Sequence, residues 1–218
     1  MWRIPEPAVI HCVSPFVMSG GLFHGFQLWV NLPADQKWSP PRYQDIRAEE
    51  VALVSSPDGG ALVRVIAGDI AGHAGPGSTY SPMTLVHATL SPGARLALPW
   101  RPDYNALVYV MAGQGSVGGD ARPLGTGQLA VLGPGDALVV AASEQQQRRH
   151  PNLDVLILGG RPIREPVAWM GPFVMNTREE VLQAVADYQA GRLGSIPAVH
   201  NTPTTLIQTD GPAASDPG

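Results

Sequence analysis

Between Val51 and Leu158 the chain carries seven apolar runs of four to seven residues each, at 51–54, 61–67, 84–90, 106–111, 128–132, 137–141 and 155–158. Runs this short fit strands and not core helices, which need roughly 10–12 residues. They are separated by Pro57-Asp58-Gly59-Gly60, Ser91-Pro92-Gly93, Gly118-Gly119-Asp120 and Gly133-Pro134-Gly135-Asp136. In such turns Gly supplies positive φ and Pro presets the first dihedral. With 25 Gly, 22 Pro and only 15% charged residues, the chain reads as all-β, and seven strands are enough to close a barrel.

Upstream, the segment 24–33 alternates, with Phe26, Leu28, Val30 and Leu32 on one face and Gln27, Trp29 and Asn31 on the other. That period of two predicts a half-buried strand, and the Gln, Trp and Asn suit a cavity wall. Downstream, Thr177 followed by Glu180 forms a capping box ahead of Val181, Val185 and Tyr188. A helix is expected there, ending at Gly191 and covering a barrel surface with its apolar stripe. From about Gly194 periodicity is lost, and the tail is expected to be disordered.

Composition excludes several functions. A formal net charge of −4, with no basic cluster beyond Arg148-Arg149, gives no footprint for nucleic acid. The single Cys12 cannot form an internal disulfide, no signal-peptide pattern opens the chain, and no apolar run reaches the ~18 residues of a membrane span. A cytoplasmic protein is expected.

The run from His24 to Pro33 with Pro40-Pro41-Arg42-Tyr43-Gln44-Asp45-Ile46, and the later Trp169-Met170-Gly171-Pro172-Phe173-Val174-Met175-Asn176-Thr177, closely resemble the two signatures of the pirin family, a bicupin branch of the cupin superfamily. The resemblance covers residues from about 11 to about 194 and implies two cupin-type β-barrels of jelly-roll form. The first holds iron through three histidines and a glutamate, and the second usually holds no metal. It divides this chain into a remnant of the first barrel at 1–46, the C-terminal cupin domain at 47–175, a C-terminal helix at 176–192 and the tail at 193–218. The first barrel is expected to be cut short at its N-terminus, because about 20 residues before the signature strand cannot supply its other strands.

Carried over residue by residue, the resemblance places the third histidine on His11, while the glutamate position falls on Val13 and the upstream His-x-His pair has no counterpart. His11 alone cannot hold an ion that needs at least three protein ligands, so no cofactor is expected for this chain, although full-length members bind Fe. The second barrel shows no ligand pattern either. His87, grouped by alternation with Leu85 and Thr89, is read as a hydrogen-bonded histidine or as one pointing into the barrel; His150 is read as a surface-loop residue, and His73 and His200 as loop residues. His24 is read as part of an inherited strand, Cys12 beside His11 as pointing to the opposite face, and the run 113–119 as a hairpin turn and not a phosphate loop. Two functions compete: a non-catalytic binding or regulatory module, or an iron-dependent quercetin 2,3-dioxygenase whose metal-binding part is missing from this chain. The first expects a protein partner or self-association through the exposed barrel remnant, and a small aromatic ligand.

Overall fold

The computed structural model describes residues 25–40 and 42–193. The expectations for His11, Cys12, Val13, His24, His200 and the tail from 194 lie outside the described residues.

All seven runs become strands, and pairing recruits further ones. In chain order the strands are β1 (Ala52–Ser55), β2 (Ala61–Ala67), β3 (Asp69–Ile70), β4 (His73–Ala74), β5 (Met83–Leu90), β6 (Arg95–Pro99), β7 (Asn105–Ala112), β8 (Gln114–Val117), β9 (Arg122–Gly125), β10 (Leu129–Leu132), β11 (Ala137–Ala142), β12 (Leu153–Gly160), β13 (Ala168–Met170) and β14 (Phe173–Met175); helix α1 spans Arg178–Gln189. Six strands form one sheet in the order β1-β2-β5-β12-β7-β10, and four form a second in the order β6-β11-β8-β9. The pairings within both sheets are antiparallel.

Alternation decides which side chains meet between the sheets. In β2 the pattern buries Ala61, Val63, Val65 and Ala67; in β5 it buries Val86, Ala88 and Leu90; in β6 it buries Leu96 and Leu98. These pack with Trp100, Val108, Val110, Leu138, Val140, Val155 and Ile157 in one continuous core. Close approach is built into it at Gly159 of β12, where a Cβ would collide with the Asn105 carbonyl and the Trp100 ring.

The barrel expected from seven strands is a two-sheet jelly roll whose hydrogen bonding does not run all the way round. β9 and β10 flank an opening of about 600 Å³ at one seam, and β1 and β6 flank one of about 360 Å³ at the other. The sheets are held together by packing across the core, which does not require ladder bonds at the seams.

Three further expectations need correction. The segment 25–33 alternates but is not a strand: no described strand pairs with it, and without a partner its backbone has no ladder to join. The run 113–119 is only partly a turn, because Gln114–Val117 is β8 and the chain reverses at 118–121, where Gly118 and Ala121 take positive φ. Helix α1 covers the β13–β14 hairpin and not the jelly roll, with Val181 and Ala184 buried against Phe173, Met175 and Leu193. Its capping box is as expected: Thr177 Oγ1 accepts from the Glu180 N–H at 3.2 Å, and Glu180 Oε2 accepts from the Thr177 N–H at 3.0 Å.

Candidate functional site

The core between the sheets is built of aliphatic side chains and Trp100, each at most 7% exposed. Among the described residues no three His, Cys, Asp or Glu side chains come together in a way that could hold a metal ion.

His87 points away from this interior, which corrects the alternative that aimed it inward. Its neighbours Val86 and Ala88 are fully buried in the core, so His87 stands with Leu85 and Thr89 on the outer face of the six-stranded sheet. There the pairing places Arg64 of β2 beside His87, and Asp154 of β12 beside Thr89. Thr89 Oγ1 donates to Asp154 Oδ1 at 2.6 Å, and His87 Nε2 stands 3.4 Å from the same oxygen. That distance and alignment make an electrostatic contact and not a full hydrogen bond; His87 Nε2 and Arg64 Nη1 are both buried without an acceptor. The His87 ring first, and then the Thr89 hydroxyl, hold the Asp154 carboxyl below the usual carboxylate range, against the opposing effect of burial.

The other histidines stand apart. His150 is exposed, in an isolated bridge with Gln147, as expected of a surface loop. His73 is exposed in the two-residue β4 and not in a loop. In the 144–147 segment Gln146 clamps β8: its Nε2 donates to Gln114 O at 2.7 Å, and its Oε1 accepts from Gln114 N at 3.0 Å.

A further cavity lies outside the jelly roll, under the segment that misses being a strand. Leu28, Val30 and Leu32, all from one face of the alternation, stand opposite Ile66, Met83 and Leu85 of the outer sheet face and enclose a cavity of about 350 Å³. Arg42 and Tyr80 stand at its lining, with the Arg42 guanidinium carbon 4.4 Å from the Tyr80 ring centre. Gln44 ties the segment to the sheet, donating to Pro76 O at 2.8 Å and accepting from Ser78 N at 2.9 Å.

Further contacts fasten the same segment. Phe26 meets Tyr109 of β7 edge-to-face at 5.3 Å. Asn31, read as a cavity-wall residue, instead accepts from Lys37 Nζ at 2.7 Å, and that amine also donates to Val174 O at 3.1 Å. Lys37 is 4% exposed, and burial pushes its amine below the usual lysine range. Glu165 Oε2 accepts from Ala34 N and from Asn176 Nδ2, both at 2.8 Å, joining the segment to the start of α1.

Sequence reasoning grouped Leu28, Val30 and Leu32 correctly but found neither Arg42 nor the sheet residues opposite. The polar turn around Arg42-Tyr43-Gln44 was the available signal, and nothing local ties Arg42 to Tyr80, 38 positions further along the chain.

An antiparallel two-sheet jelly roll with an apolar interior and a helix beyond its last hairpin is the architecture of a cupin domain. Residues 85–194 match the model of the Pirin C-terminal cupin domain. A pirin-like protein of Caulobacter vibrioides is 38% identical over 193 residues, and human pirin 33% over 195. Each alignment covers 88% of this chain, and 66% and 64% of those proteins respectively. The crystal structure of a quercetin 2,3-dioxygenase from Acinetobacter baumannii superposes with a TM-score of 0.69 at 33% identity, covering 77% of this chain and 56% of that one. The chain belongs to the pirin family. It spans just under two thirds of the length of these curated relatives.

Proposed function

We propose that this chain is a non-catalytic binding or regulatory module of the pirin type, acting through the outer face of its jelly roll. One observation carries the reading: the core between the sheets is built of apolar side chains and opens at its two seams, whereas a cavity walled by Leu28, Val30 and Leu32 lies on the outer face of the six-stranded sheet. Among the described residues no three His, Cys, Asp or Glu side chains come together to hold a metal ion. The residues present do not fit an iron ion, since Val13 offers no lone pair where the resemblance places the family's glutamate.

The second reading is an iron-dependent quercetin 2,3-dioxygenase, favoured by the likeness to the Acinetobacter baumannii structure. Metal analysis of the purified 218-residue protein, with oxygen uptake measured in the presence of quercetin, separates the two. The module reading expects sub-stoichiometric iron and no uptake; stoichiometric iron with uptake overturns it.

The module reading includes a protein partner or self-association, supported by apolar side chains left exposed on one sheet: Leu53, Leu129 and Val131 are 60%, 53% and 72% exposed. No described helix is long and apolar enough to cross a membrane, and the charge distribution does not favour nucleic acid.

A further inference from the structure

We propose that the cavity beneath the segment 28–46 is a receptor for an aromatic monocarboxylate, with Arg42 as the residue that binds its anionic head. The proposal rests on the binding-module reading and names the ligand class for that module.

The cavity has the make-up of a small-molecule site. Its volume of about 350 Å³ lies within the roughly 300–1,000 Å³ of such sites. Its two walls are aliphatic, Leu28, Val30 and Leu32 on one side and Ile66, Met83 and Leu85 on the other. A fused-ring skeleton fills such a space at low entropic cost, whereas a flexible chain would lose rotamer freedom on entry.

The polar groups around it specify the head group. Arg42 is exposed, and among the described residues it forms no ion pair. Its guanidinium is nevertheless held in place, stacked on Tyr80, whose hydroxyl donates to Pro40 O at 2.8 Å. Stacking uses the flat face of a guanidinium and leaves its N–H edge free for the two oxygens of a carboxylate. Gln44 offers no competing head-group contact, because its amide is engaged by Pro76 and Ser78. Ser81, also on the lining, carries a buried hydroxyl with no partner, a second donor for an acceptor oxygen.

Charge counting sets the valence. Among the described residues Arg42 is the one Lys or Arg side chain lining the cavity, so a single negative charge is matched and a phosphate dianion is not. A neutral ring system would fill the walls yet leave the positioned guanidinium without an anion.

The test is isothermal titration of the 218-residue protein with 2-naphthoate and with its neutral counterpart 2-naphthylmethanol. Saturable one-to-one binding is expected, with the acid favoured about tenfold. Arg42→Gln is expected to lower naphthoate affinity about tenfold and leave the alcohol unchanged, and Arg42→Lys to restore part of the loss. Leu85→Trp is expected to block both by filling the cavity, and the thermal midpoints of the variants report whether each still folds. Equal affinity for acid and alcohol, indifference of naphthoate binding to Arg42→Gln, or no saturable binding at millimolar concentration would each overturn the proposal. The module reading fails separately, on iron content and oxygen uptake, whatever naphthoate does.

Discussion

Asp154 joins two strands of the outer sheet face through one oxygen. Its carboxyl is held below the usual range chiefly by His87 and then by Thr89, so the folded state favours its ionised form. A depressed folded pKa stabilises the protein above the unfolded value of about 3.9 and ceases to do so as pH falls through the lower folded value. Asp154→Asn is therefore expected to cost roughly 1 kcal/mol at pH 7 after allowing for partial solvent screening, with the difference from the parent narrowing as pH falls through the lowered folded-state value. Urea unfolding of both proteins from neutral to acid pH checks it; a gap that does not narrow in acid would contradict the ionic origin. In the core, Gly159→Ala places a methyl against the Asn105 carbonyl and Trp100, and a loss of about 2–3 kcal/mol by the same assay is expected. Residue pairing was the least legible level. The alternation grouped His87 with Leu85 and Thr89 without telling which side of the sheet they face, and Asp154 reaches it only through the β5–β12 register, across a separation of 65 residues from Thr89.

Elements were legible where the local signal and the tertiary demand agreed. The capping box at Thr177 is closed from both sides, and Thr177→Ala is expected to cost about 1 kcal/mol, read as a shift in urea midpoint with unchanged slope. Each of the seven apolar runs became a strand that turns a face to the core, fully buried in strands such as β2 and β5 and half-buried in the edge strands β1 and β10. The strands that escaped notice carry residues of poor strand propensity: β6 contains Arg95 and Pro99, β9 contains Arg122 and Pro123, and β8 opens on Gln114-Gly115. Their pairing partners hold them in place. The segment 25–33 failed in the opposite way, having the period of a strand and no described partner, and its apolar face settled over the sheet as a cavity wall.

At the scale of the whole molecule, the open seams leave edge strands whose protection differs. β6 and β9 carry Arg and Pro, which discourage further pairing, whereas β10 is Leu-Ala-Val-Leu with Val131 72% exposed. Val131→Lys is expected to reduce any concentration-dependent mass seen by static light scattering, with no loss of thermal midpoint; unchanged association would locate the contact elsewhere. The jelly roll itself was legible from strand count and turn chemistry, while its openness was not, because closure depends on how strands meet at the seams and not on how many there are. The clasp of Asn31, Lys37 and Val174 was equally invisible, as it spans 137 positions. It has a practical consequence: Lys37 is the sole lysine of the sequence, and its amine is covered in the folded state. Acylating reagents would therefore modify this side chain only when the clasp swings open, so the rate of acylation read at Lys37 itself by peptide mapping, apart from the α-amine, would serve as a clock for the lifting of the cavity's outer wall.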